Sequence, residues 1–425
     1  MNILVLGNGG REHAICWLIS KSSYCTKLVI APGNAGTAQL GQNININPSD
    51  FEAVKDLVNE HQIDLVVVGP EDPIVNGIYD FFKGDEELMN VPILAPSAAG
   101  ARLEGSKKFA KEFMQRHHIP TAAYASFTSG QYAECRDYLA KQSIPIVIKA
   151  DGLAAGKGVT VAFKREEAES AIDDLFLNNK FGEAGSTVVI EEFLEGIELS
   201  VFALTDGKSY VLLPEAKDYK QIGEGNTGPN TGGMGSISPV PFANKEFMQK
   251  VTDRVILPTI QGFQNEQIDY KGFVFFGLMN VKGEPYVIEY NVRLGDPETE
   301  AILPRIGEDI LPYMLEAAQG KLNTSEIKIT TDYSATVMLV SGGYPGDYEK
   351  GNEIKGLENV SGSTLFIAGA KTSGGKTITS GGRVLAVNSQ ADSLQAALDL
   401  SYKNAAMIQF DNMYYRRDLG KDLMG

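Results

Sequence analysis

Cysteine is scarce in this 425-residue chain: Cys16, Cys25 and Cys135 are the three present, without Cys-x-x-Cys spacing and unable all to pair. That pattern excludes a disulfide scaffold and fits a reducing cytosol. Basic residues are outnumbered, 38 Lys and Arg against 54 Asp and Glu, for a net charge of -16. So acidic a chain does not take nucleic acid as its main partner, because phosphate backbones are held by an excess of lysine and arginine. Small anions remain open to it through local clusters. No apolar run reaches membrane-spanning length, and Met1 to Gly7 lack the basic start of a leader and read as a buried strand, so no membrane partner and a cytoplasmic location are expected. Tandem repeats and low-complexity tracts are also absent. What is present is globular, 43% hydrophobic and 22% charged, and too long for one core, which implies several packed units.

The first hundred residues alternate strand and helix: strands at 3–6, 27–30 and 63–68, helices from 11 and over 51–61. This is a parallel α/β unit. Its turn Gly7-Asn8-Gly9-Gly10-Arg11-Glu12-His13 has Glu12 where a dinucleotide fingerprint needs its third glycine, and the second strand runs into Ala31-Pro32-Gly33-Asn34 without a ribose-binding acid. A nicotinamide site is therefore disfavoured, while free N–H groups at a helix start can still hold a phosphate monoester. One helical stretch is expected over 97–117. A strand near 121–127, a helix near 131–141, a strand at 145–149 and a helix at 165–178 make a small unit, about 119–190, able to move as a lid. Strands at 335–340, 365–368 and 383–387 with a helix at 392–407 make a small α+β unit, expected to pack back on the central core. Within it, Gly369 to Thr377 looks like a Walker loop, but its leading glycine is one residue too far away, and a β-turn is expected.

Chemistry concentrates in four places. The run 147–161 reads strand, glycine-rich loop, strand, with Lys149 and Lys157 eight apart; Gly152, Gly156 and Gly158 let backbone N–H groups approach phosphate while the lysines supply charge. It is not a P-loop, since Asp151 stands where the first glycine should be and β-branched Val159, Thr160 and Val161 follow Gly158. It joins two strands of a hairpin that can close over nucleotide. Next, the strand at 188–192 exits through Glu191, Glu192, Phe193, Leu194 and Glu198, which suits adenosine: main chain for the purine edge, apolar side chains for its faces, a carboxylate for ribose hydroxyls. Third, Gly228 to Ser236 lies in a long irregular segment, 215–241, expected to be a substrate loop. Finally, Glu289 and Asn291 stand two apart on a strand and so share a face, offering hard oxygen ligands to Mg²⁺; Arg293 has the same parity and a planar fork for a carboxylate or phosphoryl group.

Lys149 with its glycine flap, the 191–198 exit, and Glu289, Asn291 and Arg293 in that order resemble the ATP-grasp fold. Together with Ala31 to Thr37, Leu103-Glu104-Gly105-Ser106-Lys107, Gly228 to Gly235 and Asn291 to Glu298, they resemble, across nearly the whole chain, the phosphoribosylamine–glycine ligase family of purine biosynthesis. The resemblance implies a multidomain ATP-grasp fold of mixed α/β and α+β class: an N-terminal parallel α/β substrate domain (1–103), an ATP-grasp domain (104–327) containing the mobile lid, and a C-terminal α+β domain (328–425). It implies ATP, glycine and 5-phosphoribosylamine as substrates, Mg²⁺ or Mn²⁺ as cofactor, and a monomer or weak homodimer. Lys107, Lys149, Gly156, Lys157, Gly158, Glu191, Glu192, Phe193, Leu194 and Glu198 become nucleotide contacts, with Glu289 and Asn291 as metal ligands. Asn8, Gly9, Gly10, Glu12 and Asn34 become ribosylamine contacts, and Asn230, Thr231, Gly232, Gly233 and Gly295 substrate contacts. Asp218, Lys220, Arg293 and Asp296 line the region where the two substrates meet. Two departures stand out. The family often has Gln-Asp-His-Lys-Arg where this chain has Lys217-Asp218-Tyr219-Lys220-Gln221, and a metal-binding carboxylate common twelve positions before Glu289 is here Gly277. The rival readings are a related ATP-grasp enzyme acting on formate or bicarbonate, which the 228–235 loop argues against, and a nucleotide-binding oxidoreductase or sensor.

Overall fold

The computed structural model describes residues 1–153, 158–178, 180, 182–324 and 326–424. Its first unit is a five-stranded parallel sheet in the order Gln42–Asn43, Lys27–Pro32, Asn2–Gly7, Leu65–Val68, Ile93–Leu94. The apolar runs 3–6 and 65–68 are buried on both faces, as strands are when helices cover both sides. Helix Phe51–His61 begins where Asp50 accepts a hydrogen bond from Ala53 N at 3.2 Å, and ends at Gln62 in the left-handed conformation. Strand order reverses between Asn2–Gly7 and Leu65–Val68, which opens a crevice at their carboxyl ends.

The helical stretch expected over 97–117 is two helices, Ala98–Gly105 and Lys107–Arg116. Ser106 makes the break, because its extended backbone ends the first helix and its Oγ accepts from Phe109 N at 3.1 Å to cap the second. The same corner carries the start of the glycine flap: Asp151 Oδ1 accepts from Lys108 N at 2.6 Å, and Lys107 Nζ donates to Gly152 O at 3.1 Å. The flap strands, Ile146–Ala150 and Val159–Ala162, belong to a four-stranded antiparallel sheet with Thr187–Glu192 and Tyr124–Thr128. Helices Tyr132–Lys141 and Arg165–Phe176 pack on it around a core of its own.

A second antiparallel sheet, Tyr210–Leu212, Ile197–Thr205, Gly272–Val281, Glu284–Asn291, forms the floor. The segment 215–241 is not irregular. Lys217–Asp218 and Gly235–Ser238 join the sheet of the C-terminal unit beside Tyr333–Val340, Arg383–Ala391 and Thr364–Ile367, and Gln221–Gly223 pairs with Thr227–Asn230. Buried backbone needs partners, and tertiary pairing supplies them where a glycine-rich sequence shows no alternation. The near-Walker stretch is a hairpin, Ala370–Ser373 with Lys376–Thr379, turned by Gly374 and Gly375 at φ of 57° and 77°. The C-terminal unit packs on the first unit as well as on the central core: Ile367 N donates to His13 Nδ1 at 2.7 Å, and Asn34 Nδ2 donates to Ile367 O at 2.7 Å. No helix among the described residues is long and apolar enough to cross a membrane.

Candidate active site

A cleft of about 900 Å³ lies between the flap sheet, the floor sheet and the 217–232 segment. Lys149 enters it from the end of strand Ile146–Ala150, with Nζ 3.0 Å from Glu191 and 3.1 Å from Ile288 O. Glu191 is itself buried between Lys149 and Lys111, whose Nζ is also 3.0 Å away, so its carboxylate is met by the lysines rather than open to solvent. Burial pulls the Lys111 ammonium down to about 8 and lowers Lys107, against the pull of their carboxylate neighbours. Lys107, Lys111, Gly158 and Glu289 border an adjoining pocket of about 130 Å³ under the hairpin. Three lysines thus converge on Glu191 and Glu289, an arrangement with spare positive charge for polyphosphate. Gly156 and Lys157 lie outside the described residues.

At the cleft's other end Val147, Val161, Met279 and Ile288 make apolar walls beside Phe193 and Leu194. Phe193 meets Phe163 at 5.9 Å between ring centroids. Glu192 accepts from Ala123 N at 2.9 Å, and Glu198 reaches the rim 3.4 Å from Lys220 Nζ.

Glu289 and Asn291 do share a face toward the cleft. Lys220 lies 3.3 Å from Glu289 and, with Lys149 and Lys107, outweighs burial to hold that carboxyl down at about 2, fully ionised. With the Asn291 amide turned so that its N–H groups meet Glu104 Oε1 and Tyr290 O, both at 3.1 Å, its oxygen is the group left for a cation. Gly277 sits opposite Glu289 in the ladder, where a Cβ would press on Glu289 Cγ at 2.8 Å. Among the described residues no three His, Cys, Asp or Glu side chains gather as a metal cluster, so a divalent ion here would have two protein ligands and draw the rest from phosphate and water.

Arg293 differs from expectation. Its fork is largely occupied: Nη2 meets Glu104 at 2.9 Å and Nη1 donates to Leu294 O at 3.1 Å, while Nε faces Glu71 at 3.4 Å without a hydrogen bond. It ties the floor strand to the first unit while bordering the cleft. Asp218 is half-buried with its Oδ1 turned inward, and desolvation and then Glu298 push its carboxyl well above the usual range. Gly233, at φ +118°, allows the chain to pass between Asp218 and Pro297. Asp296 pairs with Arg383 at 3.2 Å, and Arg383 also donates to Gly232 O; Asn230, Thr231 and Gly295 line the same wall.

The ribosylamine contacts expected in the first unit lie behind this wall, not in it. Glu12 fills the crevice at the sheet's switch point, taking Gly9 N and Arg11 Nε each at 2.6 Å, and glycines at 7 and 69 leave room for it. Asp296 Oδ2 stands 3.4 Å from Arg11 N, and Glu300 abuts Gly10. At the helix start read as open to phosphate, carboxylates thus stand at Gly9 N and Arg11 N, with Asn8 exposed beside them. Asn34 spends its amide on Asn8 O, Ile367 O, Gly36 N and Thr37 N. Glu71, Lys111 and Arg383 escaped the sequence reading, and Glu104 stood in the Leu103–Lys107 block without a role of its own. Lys111 left a trace, four positions after Lys107 on one helix face.

Family models match the whole architecture: the N domain of phosphoribosylglycinamide synthetase over residues 1–104, its ATP-grasp (A) domain over 105–299 and its C domain over 334–422. The chain belongs to this family. It is 44% identical to the phosphoribosylamine–glycine ligase of Pasteurella multocida, covering 99% of this chain and 97% of that one. The Haemophilus influenzae enzyme of the same name is 45% identical, covering 99% and 98%. The chain spans about half, 53%, of a bifunctional purine biosynthetic protein of Pichia angusta that it matches at 43%. Among solved structures, the Thermotoga maritima phosphoribosylamine–glycine ligase superposes with a TM-score of 0.87 at 36% identity, covering 98% of this chain and 100% of that one. A Campylobacter jejuni biotin carboxylase, at 0.74 and 15% identity over 100% of this chain and 95% of that one, shares the fold.

Proposed function

We propose that the protein is an ATP-dependent ligase joining glycine to 5-phosphoribosylamine in purine biosynthesis. A glycine carboxylate oxygen attacks the γ-phosphorus of ATP and ADP leaves, giving glycyl phosphate; the ribosylamine nitrogen then attacks the acyl carbon, phosphate leaves, and glycinamide ribonucleotide is formed. No side-chain nucleophile is required. Lys107 and Lys149 neutralise the phosphate tail, and the apolar walls around Phe193 and Leu194 take the adenine. Glu289 and Asn291 would hold Mg²⁺ or Mn²⁺, which supplies charge neutralisation on the transferring phosphoryl group. Lys220 and Asp218 face the meeting point of the substrates, and Arg293 keeps Glu71 and Glu104 in register with the metal-binding strand. The site's work is positioning and exclusion of water from an acyl phosphate.

The observation that carries this reading is the convergence of Lys107, Lys149 and Lys220 on one ionised carboxylate, Glu289, where a pocket of about 130 Å³ adjoins a cleft of about 900 Å³ beside the flap strands. The test is ADP release with Mg·ATP and glycine when 5-phosphoribosylamine, formate plus amine, or bicarbonate is the remaining substrate. Turnover with glycine and 5-phosphoribosylamine alone is expected; equal turnover with bicarbonate would refute the assignment.

A further inference from the structure

Lys217 and Tyr219 alternate with the two site residues Asp218 and Lys220: Tyr219 turns away from the cleft, while Lys217 and its partner Asp422 stand at the cleft's edge. The strand that begins here, Lys217–Asp218, is two residues long, paired to Gly235–Ser238 on one side and preceded by Ala216, which is bridged to Ser200 of the floor sheet on the other. Two residues of ladder fix the backbone but leave the side chains to be oriented by what they touch. The strand carries the Asp218 carboxyl, and Lys220 follows it, standing 3.3 Å from Glu289 and 3.4 Å from Glu198.

Lys217 and Tyr219 are gripped by the last residues of the chain. Lys217 Nζ meets Asp422 Oδ2 at 2.7 Å, and Tyr219 OH donates to Asp422 Oδ1 at 2.7 Å while accepting from Gly420 N at 2.9 Å. Arg416, buried, lies 5.3 Å from the centre of the Tyr219 ring and donates to Gln221 O and Asn226 Oδ1, each at 3.0 Å. Asp418 takes Gly225 N at 2.7 Å, so the hairpin after Lys220 is held as well.

We infer that the C-terminal segment is a positioning element for the ligase site, with Asp422 as its key: by anchoring Lys217 and Tyr219 it sets the direction in which Asp218 and Lys220 face the cleft. The inference rests on the site assignment proposed above. Asp422 acts through the two side chains it holds and needs no contact with a reacting atom. Lys217 is buried and borders the same cleft, so without Asp422 its ammonium is left uncompensated and turns toward the cleft carboxylates, in competition with Lys220.

The test uses the full chain in three forms: Asp422→Ala, Asp422→Asn, and the charge-swapped pair Lys217→Asp with Asp422→Lys. Asp422→Ala is expected to lower kcat roughly tenfold or more while the KM for ATP stays within about twofold, as a misplaced site does when its nucleotide pocket is intact. Asp422→Asn, which keeps an acceptor for Tyr219, falls between, and the swap regains most of the loss. Thermal midpoints are expected not to follow the order of kcat. Either a kcat within about twofold of wild type for Asp422→Ala, or a loss that the swap leaves unrepaired, overturns the inference. If Asp422→Ala does not fold, Asp422→Asn reads the same quantity, and unchanged kcat there refutes the role. Failure of the underlying assignment looks different: the unmodified chain would release no ADP with glycine and 5-phosphoribosylamine, and this inference would fall with it.

Discussion

Replacing Arg293 with lysine keeps the charge and removes the fork. In the wild type one guanidinium bonds Glu104 at 2.9 Å, Leu294 O at 3.1 Å and approaches Glu71 at 3.4 Å. An ammonium on a shorter stem can serve Glu104 or Glu71, not both. Burial pushes the Glu104 carboxyl up and Arg293 pulls it back, whereas at Glu71 burial is outweighed by Arg293 and Arg11 and the net shift is downward. The variant thus loses at least one charge-assisted hydrogen bond, worth about 1.5 to 3 kcal/mol, and leaves a buried carboxylate short of a partner. Because Glu104 also orients Asn291, the loss reaches the metal-binding face. A cost of about 2 to 3 kcal/mol in kcat/KM for glycine is expected, a factor of roughly 30 to 150. Nucleotide affinity by calorimetry should stay near wild type, since Lys149 and Lys107 are untouched. Steady-state kinetics with each substrate varied in turn gives the answer. Wild-type glycine kinetics would refute the reasoning, and a loss confined to nucleotide affinity would place Arg293 with the ATP contacts instead.

Three further outcomes are expected. Glu289→Gln should lower kcat by roughly 100-fold or more with the thermal midpoint little changed, because it removes a hard anionic ligand while Lys220 keeps Glu198; near-normal turnover at ordinary magnesium would make Glu289 structural. His13 is buried and neutral, its pKa drawn down by burial to about 4. The unfolded chain takes up a proton near the ordinary value of about 6.5 and the folded one does not, so stability is full above that range and falls with pH, by about 2 kcal/mol from pH 7 to pH 5. In urea unfolding, His13→Gln should show a correspondingly shallower loss; parallel losses would mean the ring is charged in the folded state. Ser106→Ala removes a helix cap and two contacts to Asp151, and should cost about 1 kcal/mol of stability and raise the KM for ATP; an unchanged KM would separate that corner from the flap.

Much of the fold is legible in the chain because its elements are written locally. The buried runs 3–6 and 65–68 can only be central strands, and helix Phe51–His61 carries its own cap in Asp50. The flap strands and the shared face of Glu289 and Asn291 follow from alternation alone. Other features depend on partners distant in sequence. Gly235–Ser238 becomes a strand because Tyr333–Val340 pairs with it, and the crevice after Gly7 receives Glu12 and, from the turn beyond the floor strand, Asp296. Arg293 reads as an open fork until Glu71 and Glu104 are seen beside it, and Arg383 enters the site from a strand whose sequence gives no hint of chemistry.

In the proposed function glycine is activated as an acyl phosphate in the cleft between the flap and the Glu289 strand. This activation is tested most directly with glycine carrying ¹⁸O in both carboxylate oxygens, turned over with unlabelled Mg·ATP and 5-phosphoribosylamine, and the released phosphate read by its ³¹P shift. The account predicts one ¹⁸O in each phosphate, accompanied by ADP, with the other retained in the amide. Unlabelled phosphate, or label appearing in AMP, would contradict it.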